Sequence, residues 1–398
     1  MTSRRTFLAS AAAALLVVRP RALLARLSGP PALSFAPWLE IDAAALHHNV
    51  RAVARLSGGK PVIAVVKNNA YGLGLGHAGP LFDAMPEVRM LAVVRPEEAI
   101  ALRDAGVKKP VLLMGPANEE ELMRLVPLDV VQSPYRAEAP ALLARVGARL
   151  GRPVRAHLYI DTGMHRMGMP VAQAMTWLEA LAKAGVRIDG AFTELTEDPE
   201  FDRSQAALLR SLQMAARASG IDLGLLHAAS SDAVMHQTSG TYLDAVRPGL
   251  SLYGGYVSER AMQRGELRPA YRLKARVIRL DQLKPGDGVS YHRRWTTDKP
   301  VSTATLDIRH VDGYPSGAVK GCEVLIGGQL YPVIGTVSAS HTIVALGEEP
   351  TVKVGDEATL VGPDHPSLHP NEIAKRSGWS EYNMFMHLNP QLSRRIIR

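Results

Sequence analysis

Eight short apolar runs alternate with amphipathic stretches between residues 60 and 255, and few folds accept that rhythm. The runs are VIAVV (62–66), MLAVV (90–94), PVLLMG (110–115), DVVQ (129–132), AHLYI (156–160), GAFTEL (190–195), GLLHAA (224–229) and DAVRPG (244–249). Between them PEEAIALRDAG, VAQAMTWLEALAKAG and SQAALLRSLQMAARASG carry helical periodicity and end in glycine, as helix C-termini often do. Strands this apolar need cover on both faces, and serial β-α units supply it, so the spacing predicts an α/β fold, a (β/α)8 TIM-type barrel over residues 38–258. After about residue 260 the runs YRLKARVIRLDQL, CEVLIGGQLYPVIGTV, HTIVAL and EATLVG are punctuated by Pro-Gly, Gly-Asp and Gly-Gly, with almost no helical pattern. Residues 259–398 therefore read as a mainly β C-terminal domain.

A formal charge of +8 raises the question of a nucleic-acid partner. Five of the cations, Arg4, Arg5, Arg19, Arg21 and Arg26, precede the first acidic residue, Glu40, and without them the charge falls to +3. That residue is unremarkable, so no nucleic acid is expected. The N-terminus places Arg4-Arg5 before a short apolar stretch from Phe7 to Val18. A bilayer span needs ~20 apolar residues, so this segment is too short for a stable membrane anchor. Residues 1–27 are expected to be an export signal of the twin-arginine type, directing the chain to the periplasm. The single cysteine, Cys322, excludes an intramolecular disulfide, and no Cys-x-x-Cys pair suggests a metal; His365 and His369 fall in a proline-rich loop.

Barrel chemistry gathers where strands end and β-α loops begin. The strand exits present Lys67 after the first, Asp161 to Arg166 after the fifth, Glu194 at the sixth, His227, Ser230 and Ser231 after the seventh, and Arg247 with Gly249 at the eighth. Singly each has a plain alternative: Lys67 can extend to water, and His-Ala-Ala-Ser-Ser can cap a helix. Together they describe a site for an anion and a carbonyl compound. Ser230, Ser231 and the backbone at Gly249 can offer donors to a phosphate, and a lysine beside them can form a Schiff base with an aldehyde. Pyridoxal phosphate has both groups.

These segments resemble the alanine racemase family of pyridoxal-phosphate enzymes, from about Trp38 to the C-terminus. AVVKNNAYGLG is similar to the family's cofactor-lysine motif, which implies that Lys67 carries the cofactor and Tyr71 contacts its phosphate. LYIDTGMHRMG resembles the motif whose arginine, here Arg166, touches the cofactor's phenolic oxygen and the substrate. HAASS and VRPGLSLYGG are similar to the segments holding phosphate and ring nitrogen, with Arg247 facing that nitrogen and His227 behind it. GVSYHRRW resembles the segment of the second catalytic base, Tyr291, which the family takes from the other subunit of a head-to-tail homodimer. EYNMFMHLNPQLSRR resembles the family's C-terminal end and makes Tyr382 a phosphate ligand. The implied activity is two-base Cα proton transfer on an amino acid, with Lys67 and Tyr291 as the catalytic pair.

Several positions depart from the family pattern. Tyr159 stands where many members have a lysine that becomes a carbamate and braces the arginine. Glu194 replaces a histidine, Ser230 an asparagine and His310 an entrance tyrosine. Ala339 and Ser340 replace a Met-Asp pair that helps hold the substrate carboxylate. Glu194 is expected to supply the negative charge that Tyr159 cannot, or else to face the ring nitrogen. Less bulk at Ala339 and His310 is expected to admit amino acids larger than alanine. Competing readings are a pyridoxal-phosphate-binding protein that has lost turnover, and a related barrel decarboxylase or metal-assisted aldolase. Retention of both Lys67 and Tyr291 argues against the first; the VSYHRRW segment argues against the others, and the aldolase would also need a metal cluster that the sequence does not suggest.

Overall fold

The computed structural model describes residues 34–398; the expected export signal lies outside the described residues. The barrel strands are parallel. Val62–Val65 pairs with Val88–Val93, then Val111–Leu113, then Val130–Val131. A bridge from Gln132 to Ala156 carries the sheet to Arg155–Asp161, which pairs with Arg187–Phe192 and that with Leu225–His227. The eighth run is reduced to single-residue bridges, His227 to Ala245 and Val62 to Val246, and these close the ring. Pro248 has no N–H to extend a ladder. Its carbonyl still accepts from Val65 N at 3.0 Å, so the closure is hydrogen-bonded.

The barrel strands are almost wholly buried, consistent with helices outside and side chains filling the interior. The interior layer around the sixth strand is aromatic. Tyr159 stacks on Phe192 (centroids 4.5 Å apart), and Phe192 on His227 (5.0 Å). The parallel register places Tyr159 beside Phe192 and Phe192 beside His227.

The C-terminal part is an eight-stranded sheet in which Tyr271–Leu283 is long enough to pair with both Glu357–Val361 and Val301–Leu306, so the sheet curls back on itself. Trp38–Asp42 belongs to this sheet and not to the barrel. It runs antiparallel to Tyr271–Leu283 and parallel to Ser393–Ile397. Two helices near the C-terminus, Pro370–Ser377 and Glu381–Met386, interrupt the β pattern, and the second reaches the barrel mouth. Its Phe385 carbonyl lies where a Cβ at Gly72 would sit, 2.2 Å away, and the Asn68 amide nitrogen donates to Met386 Sδ at 3.3 Å. Among the described residues no helix is long and apolar enough to cross a membrane.

Candidate active site

Lys67 leaves the first barrel strand and enters a left-handed turn. Asn68, Asn69, Ala70 and Tyr71 have φ between 51° and 56°, and Gly72 follows at 81°. Left-handed backbone costs roughly 1–2 kcal/mol per non-glycine residue, so four in a row need support. The buried carboxylate of Glu98 provides much of it. Its Oε1 accepts from Asn68 N (2.5 Å) and Asn69 N (3.4 Å), and its Oε2 from Val94 N and Arg95 N (3.2 Å each). Asn69 Oδ1 accepts from Leu75 N, and Arg394 reaches from the last strand to donate to Gly72 O at 2.8 Å. The turn therefore fixes the base of the lysine while leaving its side chain half-buried at the rim.

The same turn buries Tyr71 against Tyr253 with ring centroids 4.7 Å apart, and Tyr253 is pinned through its hydroxyl to Val65 O at 3.0 Å. The Tyr71 hydroxyl reaches the backbone at Gly249, where an added Cβ would lie 2.1 Å from it. This close approach leaves room at 249 only for glycine. Ser230 caps the short helix Ser231–Met235, its Oγ accepting from Asp232 N at 3.2 Å. Ser231 Oγ accepts from Gly249 N (3.0 Å) and Ser251 N (3.2 Å), which fills both its lone pairs, and it lies 3.1 Å from Ser251 Oγ. Tyr382, 39% exposed on the C-terminal helix, lies within electrostatic reach of Tyr71, and burial pushes its phenol up to about 12. Tyr71, Ser230, Ser231, Gly249 and Tyr382 thus share one corner.

Across the rim, Glu194 stands between two guanidiniums. Its Oε2 accepts from Arg247 Nη2 at 2.9 Å and its Oε1 lies 3.4 Å from Arg166 Nη2. Arg247 is buried, also donates to Thr193 O (2.9 Å), and faces His227 Nδ1 through Nη1 (2.8 Å). Because a guanidinium only donates, His227 Nδ1 must accept. Its proton is therefore on Nε2, which donates to His157 Nδ1 at 3.0 Å. Burial, with Arg247 and His157, holds His227 well below the usual imidazole range, and burial brings His157 to about 4, so both rings are neutral. His227 has no exposed surface. It stands behind Arg247, so any effect on a cofactor would pass through that guanidinium. Burial works to raise the Glu194 carboxyl, but Arg247, Arg166 and Lys67 outweigh it and hold it below the usual carboxylate range. Burial pushes the Lys67 ammonium down; Glu194 opposes that and the two arginines reinforce it.

The β domain carries the remaining expected residues at its surface. Tyr291 is 68% exposed in the tight connection between Gly288–Val289 and Trp295–Thr296, where Ser290, His292 and Arg293 all have positive φ. Ala339, Ser340 and His310 are also exposed, and His310 N donates to Ser338 O at 3.1 Å, so they share one loop region.

Two family profiles match this chain: "Alanine racemase, N-terminal domain" over residues 41–257 and "Alanine racemase, C-terminal domain" over residues 270–396. The chain belongs to the alanine racemase family. It is 32% identical over 366 residues to an alanine racemase of Desulfovibrio desulfuricans, covering 90% of this chain and 97% of that one. An alanine racemase of Clostridium perfringens is 34% identical over 368 residues, covering 90% and 94%. Among solved structures, alanine racemase from Clostridium difficile 630 superposes with a TM-score of 0.84 at 27% identity, covering 92% of this chain and 96% of that one. Alanine racemase from Streptomyces lavendulae gives 0.83 at 27% identity, covering 92% and 98%.

Against the alanine racemase pattern, the expected partnership of Glu194 with Arg166 is met, and Glu194 reaches Arg247 as well. Tyr159, whose phenol is pushed up by burial, lies within electrostatic reach of the Arg166 guanidinium. Sequence inspection missed Glu98, because acidic residues in the first turn of a helix are common and favourable there whatever else they do. It also missed His157, which lies two residues from Tyr159 on the same strand face and was legible from period-2 alternation alone.

Proposed function

We propose that this chain is a pyridoxal-phosphate-dependent amino-acid racemase that interconverts the L and D forms of alanine and of larger amino acids. The observation that carries the reading is Lys67, held by a left-handed turn beside the corner formed by Tyr71, Ser231 and Gly249. The corner fits a phosphate: Ser230 opens a helix, and only a glycine leaves room at 249. Arg247 fits a ring nitrogen that accepts a hydrogen bond, because it stays cationic between Glu194 and a neutral His227. When bound, the cofactor supplies an electron-withdrawing imine that acidifies the amino-acid Cα.

The protein's own groups then divide the proton work. Lys67 Nζ, with its ammonium disfavoured by burial, holds or releases a proton on one face. Tyr291 is exposed on its own protomer, which supports delivery to the other face from the partner subunit of a head-to-tail homodimer. Arg166 orients the substrate side of the site. The Arg4-Arg5 segment supports export to the periplasm. The small exposed residues at Ala339 and His310 support the wider substrate range.

The test is to mix purified protein with individual L-amino acids in deuterated water and follow Cα exchange and D-enantiomer formation. Exchange that is abolished in Lys67→Ala and in Tyr291→Phe is the expected result. Cofactor binding with no exchange for any amino acid would instead point to a carrier without turnover.

A further inference from the structure

Among the described residues, Glu194 is the one carboxylate that touches both arginines of the site. Arg247 has two other acceptors, Thr193 O and His227 Nδ1, but both are neutral. Arg166 is 58% exposed, and among the described residues Glu194 is the acid it pairs with. The carboxylate's own backbone is anchored, since Gln205 Nε2 donates to Glu194 O at 3.1 Å while also donating to Thr162 Oγ1 at 3.2 Å. Thr162 Oγ1 in turn lies 2.7 Å from Thr193 Oγ1, which ties the strand leading to Arg166 to the one carrying Glu194. Three cations, Lys67, Arg166 and Arg247, face this one group.

Resting on the proposed function, we infer that Glu194 is a positioning residue that joins Arg166 and Arg247 into one rigid charge unit and acts as the shared counter-ion of the Lys67 side. Its two oxygens are divided between the guanidiniums, so their separation is set by the carboxylate. Its negative charge offsets part of the repulsion that the two arginines exert on the lysine. A residue needed only for packing would be replaceable by its amide. A counter-ion would not.

The experiment uses apoprotein and added pyridoxal phosphate. The rate of covalent attachment at Lys67 is followed by absorbance across pH, and the attached residue is identified by borohydride reduction and peptide mass. Glu194→Gln keeps the shape and removes the charge, so the pH midpoint of attachment is expected to fall by about one unit, since a nearby opposite charge typically shifts a group by that much or more. Cofactor affinity is expected to fall roughly tenfold with it. Glu194→Asp keeps the charge but shortens the reach, so its midpoint stays near that of the parent while affinity still drops. Should the glutamine variant fail to fold, the aspartate variant decides, because unchanged affinity there overturns the bridging role. A glutamine variant with the parent's midpoint and affinity overturns the inference alone. Parent protein that does not attach the cofactor at Lys67 overturns the proposed function and the inference with it.

Discussion

Replacing Gly249 with alanine tests the corner where the phosphate is proposed to sit. The new Cβ would lie 2.1 Å from Tyr71 Oη, 2.7 Å from Cζ and 3.2 Å from Cε2, whereas ordinary contact begins at 3.4 Å. Something must therefore move by more than an ångström. Tyr71 has little room to yield: it is 3% exposed and stacked on Tyr253, whose hydroxyl is tied to Val65 O and whose ring meets Phe82 edge-on. Overpacking of this kind costs ~1–3 kcal/mol. Urea unfolding of the apoprotein should therefore show a loss of about 2 kcal/mol. If half to all of that cost falls on the cradle, pyridoxal phosphate should bind roughly fivefold to thirtyfold more weakly by absorbance titration, at about 1.4 kcal/mol per tenfold. Adding Tyr71→Phe removes the atom at 2.1 Å and leaves the one at 2.7 Å, so part of the stability should return while affinity stays low. A Gly249→Ala protein with the parent's unfolding midpoint and cofactor affinity would refute the account of this corner.

Glu98→Gln should destabilise the protein by about 2 kcal/mol in urea unfolding, because charge-assisted bonds to backbone amides are worth ~1.5–3 kcal/mol each and an amide nitrogen must face some of these donors. Arg247→Ala leaves Glu194, Thr193 O and His227 without their donor, and a broken, largely buried pair of this kind costs ~3–5 kcal/mol, measurable by the same assay. Stability should also fall with acidification. His157 is neutral in the fold down to about 4, whereas an unfolded imidazole takes its proton near 6.5, so between those values the unfolded chain binds more protons. The loss begins as pH drops below the unfolded value, reaches on the order of 3 kcal/mol near pH 4, and is absent above pH 7; His227 adds to it in the same direction. A stability curve flat from pH 7 to pH 4 would contradict the neutral pair. Finally, Ala339→Met combined with His310→Tyr should narrow the substrate range toward alanine in a panel of L-amino acids, and an unchanged panel would remove those two positions from the pocket.

Much of the rim was legible because strand exits are a one-dimensional property. Lys67, Arg166, Glu194, Ser231 and Arg247 each follow an apolar run, and a closed parallel barrel brings all such ends together. What escaped depends on contacts distant in sequence. Trp38–Asp42 pairs with residues at least 230 positions later, so nothing local distinguishes it from a barrel strand. The left-handed turn is likewise silent in the sequence: two asparagines favour it, but Ala70 and Tyr71 do not, and its stabilising carboxylate sits some thirty residues away at Glu98. Tyr291 faces outward, and only the proposed homodimer brings it to the site.

The two departures nearest Arg166 are best understood as one. Where many relatives are expected to brace the arginine with a carbamate on the fifth strand, this chain has a neutral tyrosine, and the charge reappears on the sixth. The register explains why that exchange is geometrically possible. Tyr159 pairs with Phe192, and Glu194 lies two residues further along, past the strand end, where it reaches Arg166 at 3.4 Å and Arg247 at 2.9 Å. Local charge beside Arg166 is thereby kept while its source moves one strand around the barrel. The move also has a consequence that a charge on the fifth strand alone would lack: the acid now stands next to the eighth-strand arginine, so Arg166 and Arg247 share a single negative charge.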